Sequence, residues 1–201
     1  LAELHAQGMD AIHAGAVSYQ GGALIVAGQS GQGKTTLVLG LLRRGLRLLS
    51  DEFAVVEPAT QRILPYHRSL HIRPGTLRLS SELRFLEESP RHELGGGITW
   101  ALTPQRLERA LPGCLGYAAP LRYVLLLDGV PSANGCPAIT PIPAALAALE
   151  LLRGTWATSV DFEGGLSRIG RLLDGIPCAR LRVGALEATL DAVTGWLEAE
   201  P

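Results

Sequence analysis

Short apolar runs separated by glycine-rich turns occupy the first third of the chain. Two of these runs, 14–17 and 23–27, flank the sequence Gln20-Gly21-Gly22, and this arrangement predicts an antiparallel β-hairpin. Two further runs, 46–49 and 53–57, predict additional strands. Because a hairpin reverses the chain, we expect the start of its first strand to lie beside the end of its second strand.

Helical periodicity and apolar runs alternate through the rest of the chain, and this order predicts an α/β fold with a mixed sheet. We expect helices at 36–44, 80–88, 104–111, 143–152, 165–173 and 185–199, and strands at 121–127 and 179–183. The last helix carries a core-facing stripe made of Leu186, Leu190, Val193 and Leu197. With 201 residues, the chain is expected to form one domain over 1–201.

Two segments show neither helical nor strand periodicity and are interpreted as loops. Segment 65–74 holds two histidines, two arginines and a tyrosine. Segment 91–97 ends in three glycines and is interpreted as a flexible link. Two roles remain open for this link, a lid that orders a substrate or a plain loop.

The composition excludes several classes of protein. Hydrophobic residues make up 47% and charged residues 18% of the chain, which excludes a disordered protein. No apolar run reaches the length of a transmembrane helix, and the first residues do not resemble a signal peptide. A net charge of −1 gives no broad basic surface for nucleic acid or membrane. The three cysteines are far apart, so we expect core residues in a cytoplasmic protein without disulfides or zinc.

The lysine content directs attention to a single position. Of the 18 basic residues, 17 are arginine, and Lys34 is the only lysine of the chain. Arginine replaces lysine on most surfaces, but it fits poorly where a compact ammonium must act as a point charge in a tight space. Lys34 is therefore expected to lie in such a site.

Lys34 lies within residues 28–35, which match the pattern G-x-x-x-x-G-K-[ST] in full. A predicted strand precedes this loop, and a predicted helix that ends at Gly45 follows it. Backbone N–H groups of such a loop bind phosphates, the lysine reaches the β- and γ-phosphates, and the Thr35 hydroxyl holds Mg²⁺. The sequence therefore predicts an ATP and Mg²⁺ site formed by Gly28, Ser30, Gly31, Gln32, Gly33, Lys34, Thr35 and Thr36.

Acidic residues at strand ends are the next candidates. Asp51 and Glu52 follow the strand predicted at 46–49, and neighbouring strand residues point to opposite faces, so we expect two different roles, metal binding and proton transfer. Asp128 follows another apolar strand and has two interpretations, the metal ligand of an ordinary ATPase or the first residue of a turn. His13 precedes the hairpin and is either a catalytic or a structural histidine.

Together, His13, the loop 28–35, Arg44-Gly45 and Asp51-Glu52 resemble HPr kinase/phosphorylase, a bacterial serine kinase whose P-loop domain is related to phosphoenolpyruvate carboxykinase. The intervals of 21 residues from His13 to Lys34 and 17 from Lys34 to Asp51 resemble those of the family, and the resemblance covers residues 12–57. It implies that Asp51 takes the proton from a substrate hydroxyl. It also implies that Glu52 assists metal binding and that His13 lies beside the transferred phosphoryl group.

Segment 64–75 resembles the short HPr-kinase-like proteins that accompany peptide-modification systems, including kinases of lasso-peptide precursors. The resemblance implies an ATP-dependent kinase that phosphorylates a serine of a peptide or small protein, such as a ribosomal peptide precursor. Related kinases assemble into rings, so a homo-oligomer is possible. Within the segment, Arg68 and Arg73 are candidate contacts to phosphate or substrate, because a planar guanidinium suits phosphate oxygens, and a solvated loop is the alternative.

Two functions of other classes remain open. The first is a generic NTPase or small-molecule kinase, in which Asp128 is the metal ligand and Asp51 and Glu52 activate water. The second is a non-catalytic protein that binds a peptide under the control of a nucleotide. Substitution of Asp51 and Asp128 one at a time separates the kinase from the NTPase.

Overall fold

Two sheets and the helices around them make up the fold. The computed structural model describes residues 9–94, 97–129, 135–153 and 162–199. Its strands are β1 (Asp10–Ile12), β2 (Ala14–Tyr19), β3 (Gly22–Ala27), β4 (Arg47–Ser50), β5 (Ala54–Glu57), β6 (Arg62–Leu64), β7 (Leu70–Ile72), β8 (Arg91–Leu94), β9 (Gly97–Leu102), β10 (Ala119–Asp128), β11 (Ala138–Pro141) and β12 (Cys178–Arg182). Its helices are α1 (Lys34–Arg43), α2 (Pro74–Leu79), a 3₁₀ helix (Ser81–Glu88), α3 (Pro104–Ala110), α4 (Ala144–Arg153), α5 (Phe162–Leu172) and α6 (Leu186–Ala199).

The main sheet has the strand order β1-β5-β6-β10-β3-β2-β4, and β12 and β11 continue it from the carboxyl-terminal half of β10. β10 pairs in parallel with β3 and with β12, whereas the other pairs are antiparallel. This arrangement confirms the predicted α/β class with a mixed sheet. The carboxyl ends of β3, β10 and β12 share one edge, which is where α/β sheets place ligands.

The predicted hairpin forms the centre of this sheet. β2 and β3 are antiparallel, and Ala14 pairs with Ala27. The register places the residue before β2, His13, next to the end of β3, where residues 28–33 begin. The expected proximity of the hairpin's two ends is therefore confirmed.

Alternating side chains of the central strands serve two hydrophobic cores. Leu24 and Val26 of β3 pack in the core that contains α1 and α6. Ala23 and Ile25 of the same strand pack in the core that contains α4 and α5. Helices thus cover both faces, and this explains why β3 is apolar at every position.

A second, three-stranded sheet in the order β7-β9-β8 corrects the loop interpretation of both 65–74 and 91–97. The first segment contains β7, and β8 and β9 replace the flexible link. All four residues of β8 are exposed, because β8 is an edge strand that buries neither face, and its sequence therefore lacks apolar alternation. The helix expected at 80–88 is also a 3₁₀ helix.

The prediction that the cysteines are core residues is confirmed for two of the three. Cys114 and Cys178 are buried as expected, whereas Cys136 is exposed, and none of the three forms a disulfide. Among the described residues, no helix combines the length and the apolar character that crossing a bilayer requires.

Candidate functional site

The loop between β3 and α1 has the backbone that its glycines permit. Gly31 and Gly33 have φ angles of 87° and 90°, in the left-handed region where a side chain is unfavourable. The backbone N–H of Gln29 donates a 2.6 Å hydrogen bond to Oε1 of Gln32, and this bond stabilises the turn. The ammonium of Lys34 donates to the carbonyl oxygens of Gly28 (2.7 Å) and Gln29 (3.2 Å). The loop is thus closed around its own lysine at the start of α1.

The first helical turn is joined to the end of β4. The Thr35 hydroxyl donates a 3.0 Å hydrogen bond to Oδ2 of Asp51. The other carboxylate oxygen, Oδ1, is buried and has no hydrogen-bond partner within the described structure. Burial raises the pKa of Asp51 to about 6, against the opposing effects of the Thr35 hydroxyl and the Lys34 ammonium. A buried oxygen without a partner is costly, so Oδ1 indicates a place for a proton donor or a cation.

His13 lies between β1 and β2 and lines the same cleft as Asp51 and Glu52. Its ring contacts Phe53 edge to face, with 5.5 Å between centroids. Burial lowers the pKa of His13, the Lys34 ammonium lowers it further, and the Glu52 carboxylate opposes both. The imidazole is therefore neutral at pH 7 and can accept a proton or a hydrogen bond.

A single cleft of about 1020 Å³ contains most of the predicted site. The predicted residues that line it are His13, Ser30, Gly31, Gly33, Lys34, Thr35, Thr36, Asp51, Glu52, Arg68 and Arg73. Gly28 and Gln32 do not line the cleft, and they shape the loop instead, since a Cβ on Gly28 would meet the Gln32 side chain at 2.6 Å. Asp51 and Glu52 are the only carboxylates among the described residues of the lining.

Asp128 lies beside the start of the loop 28–33, because β10 runs parallel to β3 and Leu126 pairs with Ala27. Its side chain is exposed at the end of β10, and it does not line the cleft. The part of its predicted turn beyond Gly129 lies outside the described residues.

Several lining residues were not found from the sequence. Arg78 and Leu79 come from α2, Leu94 and Thr99 from the small sheet, 183–185 from the loop after β12, and Leu186 from the start of α6. The loop after β12 could have been found, because the predicted strand 179–183 and helix 185–199 leave a strand-to-helix turn between them, as in the phosphate loop. Because the small sheet was not predicted, nothing in the sequence indicated that Leu94 and Thr99 line the cleft.

The two histidines of segment 65–74 have separate environments. His71 lines the cleft, whereas Nε2 of His67 is 2.9 Å from the carbonyl oxygen of Leu48. Among the described residues, no three His, Cys, Asp or Glu side chains are grouped tightly enough to hold a metal ion by themselves. An ion in this cleft would therefore share its ligands with a bound molecule, as Mg²⁺ does with nucleotide phosphates.

No protein-family model matches the chain, and no curated protein matches it significantly. Among solved structures, the chain is similar to the Hpr(Ser) kinase/phosphatase from Coxiella burnetii, with 12% sequence identity and a TM-score of 0.39. The alignment covers 95% of this chain and 99% of that chain. A likeness of this size gives no substrate or reaction, so the function rests on the geometry of the site itself.

Proposed function

We propose that the protein is an ATP-dependent kinase that transfers the γ-phosphoryl group to a serine hydroxyl of a peptide or small protein. The observation that carries the proposal is the Asp51 carboxylate. It is held by Thr35 of the phosphate loop, and its second oxygen has no partner within the described structure. A carboxylate in this position can act on a hydroxyl at the terminal phosphate.

The residues of the loop fit a nucleotide. Gly31 and Gly33 turn the backbone so that successive N–H groups converge in front of α1, and the helix adds its positive end. The ammonium of Lys34 is satisfied by two loop carbonyls, and these weak acceptors are readily exchanged for phosphate oxygens.

The same cleft fits Mg²⁺. The Thr35 hydroxyl and the Glu52 carboxylate are hard oxygen donors, which Mg²⁺ prefers, and one or two carboxylates with substrate phosphates complete its usual shell. When bound, the ion neutralises charge on the β- and γ-phosphates. Glu52, which is exposed to the cleft, is the residue that we assign to this ion.

Asp51 is the proposed general base. As the serine oxygen forms its bond to the γ-phosphorus, the bond from that phosphorus to the β-bridging oxygen breaks, and Oδ1 accepts the serine proton. Since burial raises the pKa of Asp51 to about 6, the carboxylate is ionised at neutral pH and is a stronger base than an exposed one. The neutral imidazole of His13 lines the same cleft and adds no positive charge that would weaken the base.

The shape of the cleft favours an acceptor larger than water. Its volume of about 1020 Å³ lies at the upper end of the range of roughly 300–1,000 Å³ that is typical of small-molecule sites, which suits a large ligand. Leu79 and Leu94 line it although each is about half exposed, at 51% and 49%. Apolar side chains at the rim favour a peptide acceptor over a strongly polar metabolite.

Mass spectrometry after incubation with ATP and Mg²⁺ tests the reaction, with synthetic precursor peptides encoded beside the gene as acceptors. We expect one phosphate on a serine. Asp51→Asn should abolish the transfer, because an amide cannot accept the proton, and Asp128→Asn should retain it.

The alternatives predict other outcomes. Loss of turnover with Asp128→Asn would favour a generic NTPase or small-molecule kinase. ATP binding without turnover of any tested peptide would favour a non-catalytic binding protein. The position of Asp128 outside the cleft is the observation that ranks the NTPase second.

A further inference from the structure

Lys34 and Arg73 are two of the cationic side chains that line the cleft. Lys34 extends from the phosphate loop, and Arg73 lies between β7 and α2, where it forms the N-cap of α2. Within the described parts of the chain, no carboxylate forms an ion pair with Arg73.

A hydrogen bond holds the segment of Arg73 against the phosphate loop. The hydroxyls of Thr36 and Thr76 are 2.7 Å apart. Thr36 lies in the first turn of α1 and Thr76 in the first turn of α2, and Thr76 is only 7% exposed. Because Arg73 is three residues before Thr76, this bond fixes the backbone of Arg73 relative to Lys34.

The cations of the lining define the charge of the molecule that the cleft can hold. Two like charges that approach without a counterion repel each other, and an anion between them removes this repulsion. Loop amides and the start of α1 bind the inner phosphates of a nucleotide, and the lysine of such a loop reaches its outer phosphates. Arg73 lines the same cleft, and its planar fork suits two oxygens of one phosphate.

We propose that Arg73 is the part of the site that recognises the third phosphate of the nucleotide, and that the Thr36–Thr76 hydrogen bond holds it in place. This inference rests on the proposed function, because it requires a nucleotide in the loop. It adds a residue from outside the phosphate loop that distinguishes a nucleoside triphosphate from a diphosphate.

Calorimetric titration with ADP and with the non-hydrolysable ATP analogue AMP-PNP, both with Mg²⁺, tests the inference without any acceptor. Arg73→Ala should weaken AMP-PNP binding by about 10- to 100-fold, the range for a lost hydrogen bond to a charged group, and should change ADP binding by less than about twofold. Arg84→Ala is the matched control, since Arg84 is an exposed arginine on the 3₁₀ helix outside the cleft. It should change neither affinity.

Thr76 provides the second variant. Thr76→Val keeps the shape but removes the hydroxyl, so it should reduce the preference for AMP-PNP over ADP in the same direction as Arg73→Ala. Thr76→Ser keeps the hydroxyl and should restore the preference. The ratio of the two affinities is informative, because general damage to the fold would weaken both nucleotides together.

Each other result has a defined meaning. If the unchanged protein binds both nucleotides and Arg73→Ala weakens neither, or weakens both equally, the role of Arg73 is wrong and the proposed function stands. The role of Thr76 is wrong if Thr76→Val preserves the full preference. If the unchanged protein binds neither nucleotide, the proposed function fails and the inference fails with it.

Discussion

The Thr35 hydroxyl donates a 3.0 Å hydrogen bond to Oδ2 of Asp51, 16 residues further along the chain. This bond spans the distance from the start of α1 to the end of β4, which the sheet brings together because β2 lies between β3 and β4. It orients the carboxylate so that its other oxygen, Oδ1, stays without a partner within the described structure. The hydroxyl that a bound Mg²⁺ would share therefore also positions the proposed base.

The pH dependence of phosphoryl transfer should show the raised pKa of Asp51. Since burial raises that pKa to about 6, kcat/KM for a peptide acceptor should fall about tenfold per pH unit below about pH 6 and level off above it. The protonated carboxyl at low pH can no longer accept the serine proton. Steady-state kinetics from about pH 5 to 8 measure the profile, and a flat profile over this range would remove Asp51 as the base.

The same carboxylate should reduce the stability of the fold. The pKa of Asp51 is about 6 in the folded protein against 3.8 for an ordinary carboxyl, so the folded state binds the proton more tightly than the unfolded chain. The contribution of this group to stability is full below about pH 4 and is lost as the pH rises through 6. Asp51→Asn should therefore raise the free energy of unfolding at about pH 7.5, by at most roughly 3 kcal/mol.

Urea denaturation of both proteins at two pH values checks this expectation. The gain from Asp51→Asn should shrink to nearly zero at about pH 3, where the Asp51 carboxyl is protonated in most folded and unfolded molecules. A gain of the same size at both pH values would assign the effect to packing. A loss of stability at about pH 7.5 would contradict the unfavourable burial of the charge.

The elements that the sequence predicted correctly are those in which local pattern and final environment agree. The hairpin of β2 and β3 has apolar runs, a glycine turn and two buried faces, so each level indicates the same structure. The loop 28–35 was predictable because the pattern G-x-x-x-x-G-K-[ST] between a strand and a helix is specific for phosphate binding. The spacing of Thr35 and Asp51 in the sequence does not by itself predict that they are close. It indicated this only through the resemblance to a family.

The elements that the sequence did not predict depend on contacts between distant segments. β8 is a strand only because β9 pairs with it, and its residues Arg91-His92-Glu93-Leu94 have no strand-like pattern of their own. The Thr36–Thr76 hydrogen bond joins residues 40 positions apart, and local sequence patterns do not predict such a contact. The cleft residues that come from α2 and the small sheet were therefore harder to predict than those of the phosphate loop.

Glu52 should affect the metal requirement more than the chemistry. Glu52→Gln removes the charge of the carboxylate assigned to Mg²⁺, so the Mg²⁺ concentration for half-maximal transfer should rise roughly tenfold, with a smaller change in the rate at saturating metal. Titration of activity with Mg²⁺ measures this. Glu87→Gln, an exposed residue outside the cleft, is the control and should behave like the unchanged protein. A loss of rate that saturating Mg²⁺ does not restore would make Glu52 part of the chemistry instead.

The protonation of His13 should respond to Lys34. Burial is the first cause that lowers the pKa of His13, and the Lys34 ammonium is the second. Lys34→Met removes this positive charge, so the imidazolium is less disfavoured and the pKa of His13 should move up towards 6.5. An NMR titration of the imidazole, assigned with His13→Asn, checks the shift. An unchanged midpoint would show that the two side chains do not interact, and Arg84→Ala should leave it unchanged in any case.

Gly184 should be the least replaceable residue of the cleft wall that follows β12. A Cβ at this position would collide with the backbone carbonyl oxygen of Gly135 and would lie 2.8 Å from the backbone nitrogen of Pro137. Backbone atoms cannot move aside as a flexible side chain can, so Gly184→Ala should destabilise the fold by about 1–3 kcal/mol. The displacement would also disturb the hydrogen bond from the Gly184 amide to Thr189, which orders the first turn of α6.

Gly195 is the matched comparison for this substitution. It lies exposed in the middle of α6, and a Cβ there meets no atom within 4 Å. Gly195→Ala should therefore raise stability, by up to about 1 kcal/mol, because alanine favours the helix. Thermal denaturation of both variants should shift Tm in opposite directions. Since Gly184 lines the cleft and Gly195 does not, only Gly184→Ala should also weaken AMP-PNP binding, and equal binding by both variants would mean that the loop after β12 does not contact the nucleotide.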